Sequence, residues 1–420
     1  MNAATRWGPV ATSERIGAMD VLRGFALLGI LLMNIEAMVG PLNAAMTGVD
    51  PSLRGVDRWV DTAIYVLVQG KFYTLFSLLF GMGFAVMMRR ADAAGRPFVK
   101  VYLRRTLGLL AIGLVHMLAI WSGDILTVYA VLSLALLWGF RNKATAKLPR
   151  WALGMYLIPV VLMLLLGALV SLSQLDPKGA TEAAKQQAAQ LAETARMINA
   201  QRAAYGGGDY LAAVAQRWDD MVSVLTFVVI FGWQVLAMFV LGLWFVRSGA
   251  IERPGEFPRL YSRLRFIALP VGLALMLASV ALEPTLDGRM DIRVGAAAAL
   301  AWVASLLMCL GYFAWVMHGL KSPPWASRLA IFAPAGRMAL TNYLMQSVIG
   351  TLVFYGYGLG WFEQLPRAWQ VPFVLVLFGL QVLWSHWWLA RFRYGPAEWL
   401  WRAFTYGGRP PLRLERAHAP

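Results

Sequence analysis

His116 and Asp124 stand eight residues apart in "HMLAIWSGDILTVYA", between two apolar runs of a 420-residue chain that is 59% hydrophobic and 14% charged. A histidine oriented by a carboxylate is the usual form of a general base, because the carboxylate fixes the tautomer and stabilises the imidazolium that forms. Two plainer duties are open: Asp124 as a helix N-cap, and His116 as a packed bundle residue. Trp121, Ser122 and Gly123 lie between them and predict a very tight external turn, which sets the two side chains on adjacent walls. Trp121 is a candidate for contact with a substrate there.

Other polar residues interrupt the apolar runs. Ionisable groups inside a membrane span are costly and usually face a cavity or a partner. Lys71, in "VQGKFYTLF", falls near mid-membrane if its span starts near Trp59, or at the interface if the helix starts at Lys71 itself. Lys71, Asn34 and Gln234 are candidate donors to a developing oxyanion. Asp20 and Arg23 are three apart and share a helix face, which suits an interfacial anchor as well as a ligand contact. Arg337, Asn342 and Gln346 follow in "GRMALTNYLMQS". Amides such as Gln234, Asn342 and Gln346 either join helices or line a cavity. Glu36 is expected to be wet. The set falls into an inner layer (Arg23, Arg337, Asn342), which suits a phosphate-bearing ligand, and an outer layer (Asn34, His116, Asp124). Lys71, Gln234 and Gln346 lie between.

The elements that must carry these residues are membrane helices. A soluble domain is about a quarter charged, and a span needs about 20 mostly apolar residues. Ten such stretches are predicted, at 19–39, 59–88, 101–120, 123–140, 151–173, 222–247, 263–282, 295–318, 337–357 and 371–392. Lys and Arg concentrate in alternate connections (Arg89 to Arg105, Arg141 to Arg150, Arg247 to Arg263, Lys321 and Arg328, and the C-terminal tail). The remaining connections are acidic or mixed, with Asp50 and Asp57, then Glu283, Asp287 and Asp291, then Glu363 with Arg367. The positive-inside rule then places both termini in the cytoplasm. The net charge of +16 reads as topology rather than as nucleic-acid binding.

The expected class is thus an all-α polytopic bundle in a bilayer. Residues 1–18 form a cytoplasmic segment without a signal-peptide pattern, 19–392 the bundle, and 393–420 a cytoplasmic tail. The segment 174–221 is an external loop whose Ala, Gln and Glu content predicts a helix, broken at "GGGD". It is either a solvated spacer or a lid. In the tail, "YGPAEWLWRAFTYG" predicts an amphipathic helix from Pro396, with Glu398 and Arg402 one turn apart, that anchors at the interface or closes the inner mouth. One cysteine, Cys309, and four scattered histidines predict neither a disulfide nor a metal site.

The stretches "MDVLRGFALLGILLMNI", "KFYTLFSLLFGMGF", "HMLAIWSGDILTVYA", "GWQVLAMFVLG", "GRMALTNYLMQS" and "YGPAEWLWRAFTY" resemble those of the YeiB family of bacterial inner-membrane proteins, a domain of unknown function. That family in turn resembles a superfamily of transmembrane acyltransferases. Their first span carries an arginine, ten residues, and a histidine. Here Arg23 is followed at that spacing by Asn34, so His116 is the histidine placed to act as base. The resemblance implies location in the bacterial inner (plasma) membrane. It also implies transfer from a cytoplasmic acyl-CoA to an external sugar or lipid hydroxyl or amine. Arg23, Arg337 and Asn342 would hold the donor, and Trp121, Gln234 and Gln346 would line the acceptor's path. The alternative is a proton-coupled transporter of a small solute, with His116 and Asp124 as a relay.

Overall fold

A computed structural model describes residues 16–46, 48–282 and 289–414. Most of the expected N-terminal segment, Glu283 and Asp287 of one connection, and Arg416 of the tail lie outside the described residues. The chain runs α1 (Gly17–Val39), α2 (Leu42–Ala45), α3 (Gly55–Leu67), α4 (Lys71–Ala93), α5 (Phe98–Val115), α6 (Leu126–Gly139), α7 (Leu148–Ser173), α8 (Pro177–Gly206) and α9 (Tyr210–Arg247). It continues through α10 (Pro258–Arg263), α11 (Leu269–Ala281), α12 (Ile292–Gly319), α13 (Pro323–Leu329), α14 (Phe332–Arg337), α15 (Ala339–Phe354), α16 (Arg367–Leu389) and α17 (Pro396–Tyr406). The protein is an all-α polytopic membrane bundle.

Each of the ten expected spans is helical, but they are not equivalent. Among the described residues, eight helical segments are long and apolar enough to cross a bilayer; α6 and α15 are apolar but shorter. At 14 and 16 residues they rise roughly 21 and 24 Å, less than a hydrocarbon core of about 30 Å. Irregular backbone at membrane depth is tolerated where protein buries it. For α6 that backbone is 121–125, the connection that carries Asp124.

The core lies around α1, α4 and α9, whereas α7 and α11 present much of their surface outward. Close approach of α4 and α9 depends on glycine. A Cβ added at Gly81 would overlap the Phe239 backbone, and one at Gly242 would overlap the backbone of Leu78. Small residues are how membrane helices bring their backbones together. Gly242→Ala is therefore expected to cost about 1–3 kcal/mol by overpacking, seen as a lower melting temperature in detergent. Gly154 on α7 has open space around it. Gly154→Ala should instead leave the melt unchanged or raise it; equal losses from both would sink the packing argument.

The helix outside the expected spans is more extensive than the composition suggested. Asp176 caps α8 through its side chain and Pro177 opens the first turn. The chain breaks at Gly207 and Gly208, where Gly208 has φ +84°. Asp209 then caps α9. The expected loop end at 221 is not a boundary: α9 is one helix of 38 residues, so 210–221 is the extension of a span rather than a spacer. The helices α8 and α9 make a hairpin, the outer hairpin, on the side where the charge pattern predicts the exterior.

Candidate functional site: a buried histidine–aspartate pair under the outer hairpin

After α5 the helix widens to a π-type turn over His116–Ile120 and stops. Such turns are frequent at functional sites because they re-aim a side chain. His116 and Asp124 meet: Nδ1 is 2.9 Å from Asp124 Oδ1, and both side chains are fully buried. The other carboxylate oxygen accepts the Thr127 backbone N–H at 2.7 Å and so secures the first turn of α6. The N-cap position of α6 is Ile125 rather than Asp124, which stands one residue ahead of it and still holds the first turn through one oxygen while the other meets His116. With Nδ1–H donating to Asp124, Nε2 is the basic nitrogen, and it has no partner among the described residues. Tyr343 lies beside the ring at 5.1 Å between centroids.

The expected tight turn is enclosed by protein. Trp121, Ser122 and Asp124 are buried, not exposed. Trp121 Nε1 donates to Ala37 O on α1 at 3.2 Å. Tyr343 Oη reaches Gly123 O at 3.4 Å. From the outer hairpin, Tyr210 Oη donates to Ala119 O at 2.8 Å, and Tyr205 Oη lies 3.5 Å from Ser122 Oγ. The residues that cover the turn are distant from it in sequence.

The other candidates scatter. Lys71 starts α4 after Gly70, whose φ is +86°. It is fully buried, and its ammonium donates to Tyr65 O and Gln69 O at 2.8 Å each. It thus closes the open carbonyl end of α3 and is not joined to His116. Asn34 is half-buried on α1. Gln234 is buried, with Tyr73 Oη 3.5 Å from its Oε1 and its Nε2 unpartnered among the described residues. Asn342 donates to Ala335 O and Ser385 Oγ, and Gln346 donates to Gln381 Oε1 at 2.9 Å, so these two amides join α15 to α14 and α16. Glu36 is not merely wet: its Oε2 pairs with Arg367 at 2.8 Å.

At the opposite end of the bundle Arg23 pairs with Asp20 at 2.8 Å, as their spacing anticipated. The Arg105 guanidinium stacks on Trp401 at 3.7 Å, within electrostatic reach of Arg23 and Arg402. Arg337 is half-buried, with an unpartnered Nε among the described residues. The helix α17 is docked here rather than lying loose. Glu398 Oε1 accepts the N–H groups of Leu340 and Thr341, and Oε2 accepts the Thr341 hydroxyl, so a carboxylate sits on the positive end of α15.

Burial pushes the Glu398 carboxyl above its usual range, against the Thr341 and backbone hydrogen bonds that favour the ionised form. A raised value means the docked state holds its proton longer than the free chain does. The contribution of Glu398 is therefore largest below the ordinary carboxylate range and falls as pH rises through the raised value. Glu398→Ala leaves buried donors unmet at about 1–3 kcal/mol each. It should make the tail sensitive to trypsin at Arg393 and Arg402. Glu398→Gln should keep the tail protected and remove the pH trend. A tail as protected in the alanine variant as in the parent would contradict this.

Sequence reading missed Arg217, Tyr205, Tyr357, Asp220, Arg367, Asp61 and Arg105 as participants. A signal existed for two of them: Arg217 and Asp220 share a helix face in "QRWDD", just ahead of a span.

Fold and site define a multi-pass helical membrane protein with an enclosed histidine–aspartate pair beneath one end and an arginine cluster at the other. The chain is 33% identical over 422 residues to "Uncharacterized protein YxaH" of Bacillus subtilis, covering 96% of this chain and 97% of that one. It is also 33% identical over 419 residues to "Uncharacterized protein YeiB" of Escherichia coli, covering 95% and 98%. Residues 245–408 match the family described as "Protein of unknown function (DUF418)". The chain belongs to this YeiB-like family. No solved structure matches it.

Proposed function

We propose that the protein is an inner-membrane acyltransferase that moves an acyl group from an acyl-CoA at the Arg23 end to a sugar or lipid hydroxyl or amine at the His116 end. The observation that carries this reading is the pair itself: Nδ1 fixed by Asp124 at 2.9 Å, and Nε2 enclosed without a partner among the described residues. In the step proposed, Nε2 takes the acceptor proton as the acceptor oxygen or nitrogen attacks the thioester carbonyl. The imidazolium then returns that proton to the departing CoA thiolate. Gln234 keeps an amide nitrogen without a partner among the described residues for an oxyanion, whereas the Lys71 ammonium is already engaged. Arg23, Arg105 and Arg402 supply charge for the CoA phosphates, and guanidinium is the group best suited to them. Arg105 and His116 stand roughly 16 Å apart along one helix.

Acetyl-CoA and longer acyl-CoAs should stabilise the detergent-purified protein against heat. Saturation at a hundredfold over Kd corresponds to about 2.7 kcal/mol. Arg23→Ala should lose that shift. No shift with any acyl-CoA removes the donor site from the reading. One observation favours the transporter alternative: α3 and α4 are a single apolar segment broken at Gly70, and broken helices build solute sites in transporters. Proton-coupled uptake into proteoliposomes, lost in Asp124→Asn, would select it.

A further inference from the structure

His116 is fully enclosed, so an acceptor arriving from its end of the bundle needs something to move. We propose that Arg217 is a positioning residue that latches the outer hairpin onto the histidine turn, and that its release opens the path to His116 Nε2. The inference deepens the acyltransfer reading and rests on it only for the identity of what enters.

Arg217 lies on α9 with a relative exposure of 0%. One Nη donates to Ala119 O at 3.3 Å, inside the π-type turn; the other donates to Tyr357 Oη at 2.8 Å. Its guanidinium carbon lies 5.6–5.9 Å from the ring centres of Tyr205, Tyr210, Tyr355 and Tyr357. One side chain thus ties three separate segments together: α9, the 116–120 turn, and the 355–357 connection. Its position on the Ala119 carbonyl is three residues from His116, so tension on Arg217 acts on the ring's own turn.

Two features make this a latch rather than a permanent bolt. First, Nε is buried without a partner among the described residues, and both acceptors that Arg217 uses are neutral. A buried guanidinium held only in this way is poorly compensated, since aromatic faces and neutral oxygens replace only part of its hydration. Lifting the hairpin returns it to water, which lowers the cost of opening. Second, one ion pair aside, the other hydrogen bonds that hold the hairpin to the bundle are between neutral groups: Gly356 N donates to Tyr205 O at 2.8 Å, Asn43 N to Gln201 Oε1 at 3.1 Å, and Tyr210 Oη to Ala119 O at 2.8 Å. Of α8 only Gln201 and Tyr205 are buried. Arg202 and Glu363 make a bidentate ion pair at 2.6 and 2.8 Å, but it is exposed and worth little. Asp220 stays with the hairpin when it lifts, because its oxygens accept from Tyr205, Gln201 and Gln216, all on α8 or α9.

The test uses the histidines and the cysteine already in the chain. Diethyl pyrocarbonate labels accessible imidazole, and mass spectrometry reads each site. His318 and His386 are exposed and serve as internal references, while Cys309 is fully buried and reacts with a maleimide only on global unfolding. In the purified full-length parent, His116 should label far more slowly than His318. Arg217→Gln should raise the His116 rate at least about tenfold with Cys309 still protected; Arg217→Lys should fall between, since an ammonium keeps the charge but not the fork. In Arg202→Cys/Glu363→Cys, a bismaleimide cross-link should suppress His116 labelling, and should cancel the rise when Arg217→Gln is added. An unchanged His116 rate in Arg217→Gln overturns the latch. So does a His116 rate that rises only together with Cys309, because opening is then global. Labelling needs no acyl-CoA, so the latch and the acyltransfer reading fail separately.

Discussion

His116→Gln is expected to lower acyl transfer by about 10²–10⁴-fold, the usual contribution of a positioned general base, while leaving acyl-CoA binding intact. Glutamine is chosen because its amide N–H can still donate to Asp124 Oδ1, so the carboxylate is not stranded. What it lacks is a nitrogen able to take a proton. His116→Ala would remove the base as well, but it also opens a cavity and leaves a buried oxygen unmet, at about 1–3 kcal/mol. Asp124→Asn should give a smaller loss than His116→Gln, because an amide can still accept from Nδ1–H but stabilises the imidazolium poorly. Its amide can still accept the Thr127 N–H only if its oxygen is not the one facing His116, so some loss of melting temperature is expected there too. The measurement is incorporation from radiolabelled acetyl-CoA into lipid and glycan of membranes carrying each variant. Full incorporation by His116→Gln would remove His116 from the chemistry. Loss of the acyl-CoA thermal shift in that variant would instead make the effect one of folding or donor binding.

The two ends of the molecule were legible in sequence to different depths. The pairing of His116 with Asp124 was readable because a short connection between apolar runs leaves little freedom in where they point. The burial of that connection was not, because it depends on Tyr205, Tyr210 and Arg217 from a segment whose Ala-rich composition gives a helix but no address. Lys71 shows the same division. "QGK" marks a break, and Gly70 does take the left-handed conformation. Which oxygens the ammonium then meets is set by three-dimensional folding of α3 back toward it. The spans were found by hydropathy, which counts apolar length. The shortness of α6 and α15 escaped it because hydropathy does not register where a helix begins and ends. Glu398 was read as a partner on its own helix, since a one-turn spacing is visible locally. The free N–H groups of α15 are a stronger partner and come from far along the chain.

Arg367→Met should be among the most destabilising single substitutions in the protein, at about 3–5 kcal/mol. Arg367 opens α16, where the helix dipole disfavours a cation, so its place is set by its partners. Its Nη2 is 2.8 Å from Glu36 on α1 and its Nε is 3.0 Å from Asp61 on α3. The remaining Nη1 donates to Gln370 at 2.8 Å. Side-chain exposures of 6% for Arg367 and 3% for Asp61 mean that neither is hydrated, whereas Glu36 at 25% keeps some water. Removing the guanidinium leaves two carboxylates near one another with no cation, and Asp61 cannot move away because its Oδ2 also accepts the Asp50 N–H at 3.0 Å. The penalty comes from the stranded charges rather than from the lost bonds, and this has a testable consequence. Adding Glu36→Gln and Asp61→Asn to Arg367→Met should recover most of the loss, since a neutral cluster has nothing to strand. Melting in detergent, followed by the monodispersity of the purified protein, reads both effects. A triple variant no more stable than Arg367→Met would mean that Arg367 acts by packing α1, α3 and α16 together, and that the charges are incidental.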